Sequence, residues 1–323
     1  MSVAQVAPEG RGFHSTLDAV YDRLVTGDVD AGLDSLFSLL NCKRRSESRD
    51  GWRSWVESCA LRHPVAHVLQ GEPFTSSAYG KPRGFAGDAG TLDYMYAALL
   101  PELRRQPPAF FSPLSASVHG YITARRPSAH AVAGRCRFFG RAIDETASVS
   151  HSGQGKARVL AIAAGHFRER FLSRAIQDGS IGEVVALDQD SLAVAEMRSS
   201  CLGTPVTPVK GSVRGLLSGA LRLGQFDLVY AAGLFDYLSE KVAVALLESS
   251  MGLLHPGGRV IVVNFVPEHP DRGFMESYMD WRLTYRSEAQ MKALFEAMPQ
   301  EGRSARTWTD PTGSLAFLEI TRS

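Results

Sequence analysis

No stretch of this 323-residue chain contains ~18 uninterrupted apolar residues, so the sequence offers no membrane-spanning helix. The N-terminus, MSVAQVAPEGRGF, lacks the basic-then-apolar layout of a signal peptide, and a soluble, cytoplasmic protein is expected. Charge of one sign is missing too. A formal net charge of +1 argues against a dedicated nucleic-acid surface. Cysteine is scarce, and Cys42, Cys59, Cys136 and Cys201 lie far apart with no C-x-x-C pair, which suits reduced thiols better than a disulfide framework. Cys59, His63 and His67 recur every four residues, as metal ligands on one helix face can, but Pro64 inside that run would break or kink the helix. No metal site is expected. The GQGK at 153–156 precedes a strand and lacks the Ser or Thr of a phosphate loop, which sets aside ATP or GTP. Internal repeats and low-complexity tracts are absent as well.

What is present suffices for a large core, since 44% of the residues are hydrophobic and the length exceeds that of an ordinary single domain. Two halves with different patterns are expected. Residues 1–150 read as a helical N-terminal domain, with Leu17, Val20 and Leu24, then Leu33, Leu36 and Leu40, at helical spacing. From about residue 151 to 323 short apolar runs (RVLAI, EVVAL, FDLVYAA, GRVIVVNF) alternate with helical stretches, which predicts a Rossmann-like α/β domain with a parallel sheet covered on both faces. The closing TWTDPTGSLAFLEITR reads as a hairpin around a Pro-Thr-Gly turn, so an antiparallel strand should join that sheet.

In VLAIAAGHFRERF, residues 159–171, a strand passes through small residues into a helical pattern, with a single glycine, Gly165, at the junction. A second strand ends at Asp188, 23 positions later, before a helix that Asp190 can cap. A carboxylate that far beyond a glycine loop is what binding ribose hydroxyls requires. A pyrophosphate needs several glycines so that the backbone can close around it, whereas a cofactor without phosphate needs one close approach. This favours S-adenosylmethionine over NAD or FAD.

These segments also resemble a known family. VLAIAAGHFRE as cofactor loop, VVALDQD as ribose strand, VKGSV, FDLVYAAGLFDYL and LLHPGGRVIVVNF are similar to class I S-adenosylmethionine-dependent methyltransferases. The strings YGKPRGFAGDAGTLDYMY, GLFDYL and DWRLTYR resemble the bacterial methyltransferases that form 3-hydroxy fatty acid methyl esters for cell-density signalling, over about residues 75 to 323. The RGFAGDAGTLDYMY type is also similar to cyclases that convert S-adenosylmethionine into azetidine-2-carboxylate and methylthioadenosine. The resemblance implies Gly165 at the methionine part of the cofactor, Asp188 and Gln189 at the ribose, Ser212 and Val213 at the adenine edge, and Ala232 and Gly233 under the sulfonium. Position 163, where relatives often carry a less plain residue, is alanine.

Other segments offer polar chemistry. In KPRGFAGDAGTLDYMYAALL, Asp88 is the expected cap of a helix with Leu92, Met95, Tyr96 and Leu99 on one stripe and Asp93 beside Tyr96. As a lid rich in glycine, this segment would bring Arg83 to the methionine carboxylate and Phe85 or Tyr96 to the sulfonium; as plain structure, it is a capped helix with a packed aromatic. Asp236 and Tyr237 follow the fourth strand at its C-terminal end, where ligands bind in open α/β sheets, and could orient an acceptor or the cofactor amine, or cap the next helix. Trp281, Tyr285 and Arg286 could wall an acceptor pocket or fix two domains together. His166 is a further polar loop residue. The expected activity is methyl transfer to a small-molecule carboxylate or hydroxyl, with Tyr96, Asp236 and Tyr237 at the chemistry and no nucleic acid or membrane as partner. Cyclisation of the cofactor is the alternative.

Overall fold

A computed structural model describes residues 8–103, 106, 108–149 and 155–323. Part of the GQGK segment lies outside the described residues, as does most of the N-terminal stretch read for a signal peptide. Eight helices come first: α1 (Pro8–Thr26), α2 (Val29–Ser46), α3 (Arg49–Ser58), α4 (Pro64–Gln70), α5 (Pro73–Gly80), α6 (Ala89–Leu99), α7 (Pro113–Arg125) and α8 (Pro127–Ser148). Strands and helices then alternate: β1 (Arg158–Ile162), α9 (Arg174–Gln177), β2 (Glu183–Asp188), α10 (Ser191–Ser200), β3 (Val206–Lys210), α11 (Val213–Leu217), β4 (Phe226–Ala231), α12 (Glu240–Gly252) and β5 (Leu254–Phe265). Two further helices, α13 (Arg272–Tyr278) and α14 (Glu288–Glu296), precede the hairpin β6 (Arg303–Thr309) and β7 (Leu315–Arg322). None of the described helices is long and apolar enough to cross a membrane.

Contacts divide the described chain into two compact units, one made of residues from 1–99, 105–130 and 270–282, the other of residues from 100–104, 131–269 and 283–323. In the helical unit the stripes expected from the sequence are all buried, Leu17, Val20 and Leu24 on α1 against Leu33, Leu36 and Leu40 on α2. Residues 270–282 belong here because Phe274 stacks on Phe37 at 4.7 Å and Gly273 lies so close to the Leu40 backbone that a Cβ would come within 2.9 Å of it. Arg126 pairs with Asp271 at 2.5 Å and Arg44 with Glu276 at 2.7 Å. The units part at 130/131, upstream of the division expected at 150, because α8 belongs with the sheet, where its Phe139 stacks on Tyr230 of β4 at 4.2 Å.

The sheet unit has seven strands in the order β3-β2-β1-β4-β5-β7-β6. Strands β1 to β5 pair in parallel, and β7 runs antiparallel between β5 and β6. This is a Rossmann-like sheet with a C-terminal antiparallel hairpin, as the strand pattern predicts. Parallel strands covered on both faces need apolar residues at every position, and β1 and β4 show it: Leu160, Ile162, Val229 and Ala231 face one layer, while Val159, Ala161, Leu228 and Tyr230 alternate with them and are equally buried. The hairpin turn is fixed by Asp310, whose carboxylate accepts from the backbone N–H of Thr312, Ser314 and Leu315, with Gly313 at φ +68°. The order reverses between β1 and β4, so their C-terminal ends open the crevice where such sheets bind ligands.

Candidate functional site

Five chain segments leave the sheet at that end, one after each of β1 to β5. After β1 the backbone turns through Ala163 (φ +53°), Gly165 (φ +57°) and Phe167 (φ +49°). Two of these three left-handed positions carry side chains, a conformation that costs about 1 kcal/mol or more for residues other than glycine. The loop is held by two bonds from β2: Ala164 N–H donates to the Leu187 carbonyl at 3.0 Å, and Gly165 N–H donates to Asp188 Oδ2 at 2.7 Å. Asp188 Oδ1 accepts from Asp190 N–H at 2.8 Å, and Asp190 in turn caps α10 through Leu192 N–H. Burial raises the Asp188 carboxyl above its ordinary value, while the backbone donors of Asp190, Gly165 and Gln189 pull it back. The two residues on which the sequence reading turned are therefore in direct contact.

Gln189 beside them is exposed, and at the next strand end Ser212 caps α11 by accepting from Gly215 N–H at 3.2 Å, with Val213 half-buried. Beyond β4, Ala232 and Gly233 are half-buried, and a Cβ on Gly233 would sit 3.1 Å from Nη2 of Arg135. Sequence reasoning missed Arg135. It stands on the apolar stripe of α8 between Val132 and Phe139, which is a readable signal: an arginine on a core face needs an anion. Arg135 is 5% exposed, and its Nε and Nη1 have no hydrogen-bond partner among the described residues.

Asp236 lies one turn further, 3% exposed. Its Oδ1 accepts from Phe265 N–H at 2.7 Å and from Asn264 Nδ2 at 2.9 Å, and Asn264 Oδ1 accepts from Arg286 at 2.7 Å. Arg286 also donates to the carbonyls of Phe235 and Leu238, so the β4 loop is tied to the end of β5. Tyr237 is exposed at 42%. Burial pushes the Asp236 carboxyl up to about 7 against the pull of Arg135 and Arg286, and pushes Glu169, in the β1 loop, up to about 7 against Arg135 and Arg168. His166 is buried with Nδ1 3.1 Å from Arg168, and Arg168 pairs with Glu196 at 3.0 Å.

Those two raised carboxyls set a pH dependence. A folded-state pKa raised above the ordinary range near ~4 means that the folded chain holds protons the unfolded chain has released, so their stabilisation is lost as pH rises through about 7. The ligand-free protein should melt at a higher temperature at pH 6 than at pH 8, and Glu169→Gln should flatten the difference. Thermal melts across that range, read by circular dichroism, check it; an unchanged slope in the variant removes Glu169 from the cause.

Arg83 and Tyr96 belong to the helical unit. Arg83 Nε is 3.9 Å from Asp88 Oδ1, and Asp88 caps α6 by accepting from Gly90 and Thr91 N–H, as expected. Lys81, left-handed at φ +48°, pairs with Asp280 at 2.5 Å, and Tyr96 is buried at 9%. His63, Asp18 and His14 form the one group of possible metal ligands among the described residues. His63 uses both ring nitrogens inside the protein, Nδ1 accepting from Val65 N–H and Nε2 donating to Asp18 at 3.1 Å, and His67 is exposed.

No family model and no curated protein matches this chain. Among solved structures it is similar to a possible exported protein from Bordetella parapertussis, 15% identical, covering 80% of this chain and 95% of that one with a TM-score of 0.53. At that identity the likeness shows the fold alone. Two others are the magnesium protoporphyrin IX methyltransferase ChlM from Synechocystis PCC 6803 with bound S-adenosylhomocysteine, and the N-methyltransferase NodS from Bradyrhizobium japonicum WM9 in complex with S-adenosylhomocysteine. ChlM is 15% identical and covers 72% of this chain and 97% of its own at a TM-score of 0.45. For NodS the values are 13%, 71%, 99% and 0.42.

Proposed function

We propose that the sheet unit binds S-adenosylmethionine and that the protein transfers its methyl group to a small carboxylate or hydroxyl acceptor. The observation that carries the reading is the 2.7 Å bond from Gly165 N–H to Asp188, which brings the β1 loop and the β2 carboxylate together at the reversal point of the sheet. The residues fit the cofactor. A carboxylate with about four acceptor directions keeps capacity for a ribose hydroxyl after taking the loop's donors, and a loop with one glycine permits one close approach without a phosphate cradle. Ser212 and Val213 would border the adenine and Gly233 the sulfonium. Bound there, the sulfonium supplies an activated methyl group; the chain's own part is to position an acceptor in line with it, which needs no strong base when the acceptor is a carboxylate.

A second reading is cyclisation of the cofactor by its own amine. It is favoured by one observation, the buried carboxyls of Glu169 and Asp236 that burial pushes up to about 7, since that reaction must take a proton from the ammonium at neutral pH. Incubation of the purified protein with S-adenosylmethionine alone, followed by product analysis, separates the two. Methyl transfer is expected to give S-adenosylhomocysteine only when an acceptor such as a 3-hydroxy fatty acid is added. Methylthioadenosine and a cyclic amino acid from S-adenosylmethionine alone would replace the first reading by the second.

A further inference from the structure

The run Cys59, His63, His67 has the spacing of metal ligands on one helix face, with Pro64 set against that arrangement. The fold keeps part of the pattern and replaces the rest. Pro64 opens α4, so His63 becomes the capping residue before that helix, Cys59 ends α3, and His67 turns out to solvent. In place of His67 stand two side chains of α1, His14 and Asp18, four positions apart and therefore neighbours on one helix face. One donor atom from each of His14, Asp18 and His63 lies within 4.8 Å of the other two. His63 Nε2 and Asp18 Oδ1 are 3.1 Å apart, and the rings of His14 and His63 meet edge to face at 5.3 Å. Two donors each about 2.0–2.2 Å from a tetrahedral zinc ion stand ~3.3–3.6 Å from one another. Rotation of the exposed His14 and Asp18 side chains therefore carries all three donors onto one ion, with buried His63 as the fixed point.

We propose that His14, Asp18 and His63 form a binding site for one zinc ion, which ties α1 to the start of α4. Two imidazoles and a carboxylate suit zinc, whereas calcium and magnesium take oxygen donors. Three protein ligands leave a fourth position, which the exposure of His14 and Asp18 opens to water. Cys59 Sγ lies 3.8 Å from His14 Nδ1; accepting that ring's N–H, it turns Nε2 to the ion, as partners behind metal-bound imidazoles do. The proton count closes at His63. In the ligand-free protein its Nδ1 accepts from Val65 N–H and its Nε2 carries the proton given to Asp18. The ion takes the Nε2 lone pair, the ring's one proton moves to Nδ1, and Val65 N–H, in the first turn of α4, gives up its acceptor. The imidazole stays neutral throughout. The site lies wholly in the helical unit, and its test does not depend on the cofactor reading.

Calorimetric titration of the full-length, tag-free protein with zinc chloride tests this. The wild type should bind with a Kd on the order of micromolar, weaker than a closed four-ligand site because one position is water and the Val65 cap is given up. His14→Ala and Asp18→Asn should each weaken binding by about 10- to 100-fold or more, since even partners behind a ligand are worth that much. Both positions are exposed, so these variants change the site without disturbing the core, whereas a substitution of buried His63 would mix folding with binding. His67→Ala should bind as the wild type does. Titration with cobalt should give the absorption of a nitrogen and oxygen site, without a thiolate charge-transfer band. Failure of the wild type to bind zinc, or unchanged affinity in His14→Ala and Asp18→Asn, overturns the site. A thiolate band, or loss of binding in His67→Ala, overturns this set of ligands.

Discussion

Replacing Asp188 by alanine is expected to weaken S-adenosylmethionine binding by about 1.5–3 kcal/mol, the range for hydrogen bonds to a charged group, and to lower the melting temperature of the ligand-free protein. Both effects have one origin. The carboxylate serves the loop through Gly165 N–H at 2.7 Å and its own turn through Asp190 N–H at 2.8 Å, at a site only 8% exposed. Removing it leaves two backbone donors without an acceptor, each costing about 1–3 kcal/mol where water cannot reach, and takes away the acceptor proposed for the ribose. Asp188→Asn separates the parts. An amide keeps one acceptor oxygen, so it can hold one of the two donors but turns an NH₂ toward the other. Its stability should lie between wild type and alanine, while binding drops nearly as far as in Asp188→Ala. Calorimetric titration paired with thermal melts measures the two quantities, and an unchanged affinity in Asp188→Ala would take this residue out of the site.

The contact at Asp188 was legible before the fold because it depends on short-range grammar. An apolar run, a glycine and a second apolar run ending in a carboxylate place both residues at strand ends, and parallel pairing of β1 with β2, Ile162 opposite Leu187, brings those ends together. The caps Asp88 and Asp190 and the Asp310 turn were legible for the same reason, each bonding backbone within five residues. Other features depend on partners far along the chain. Residues 270–282 join the helical unit through Phe274 on Phe37 and Asp271 on Arg126, and no local pattern announces pairings across more than a hundred residues. The sequence reads Asp236 as orienting an acceptor or the cofactor amine or as capping the next helix, and its bond to Asn264 is not foreseen because that partner lies 28 positions away on the neighbouring strand. Arg135 was overlooked for another reason, although its place on an apolar stripe announced it. Within α8 it occupies a core position, and helical periodicity registers only the apolar residues around it.

Gly165→Val is expected to abolish detectable cofactor binding. The reason is backbone conformation: at φ +57° a β-branched residue meets its own carbonyl, and the strain of about 1–2 kcal/mol or more is relieved by rotating the peptide. Rotation turns Gly165 N–H away from Asp188 and so undoes the contact that orders both loops. Gly165→Asn is the informative partner. Asparagine tolerates the left-handed region, so this variant should keep the bond to Asp188 and much of the binding. The flanking positions bear on the same point, because Ala163 at φ +53° and Phe167 at φ +49° already hold the loop in a conformation that costs energy. Ala163→Gly should relieve part of it, raising the melting temperature slightly without loss of affinity. Titration of the three variants, with circular dichroism to confirm folding, orders them as Ala163→Gly, then Gly165→Asn, then Gly165→Val. A folded Gly165→Val protein that binds S-adenosylmethionine as the wild type does would show that the loop after β1 is only a crossover.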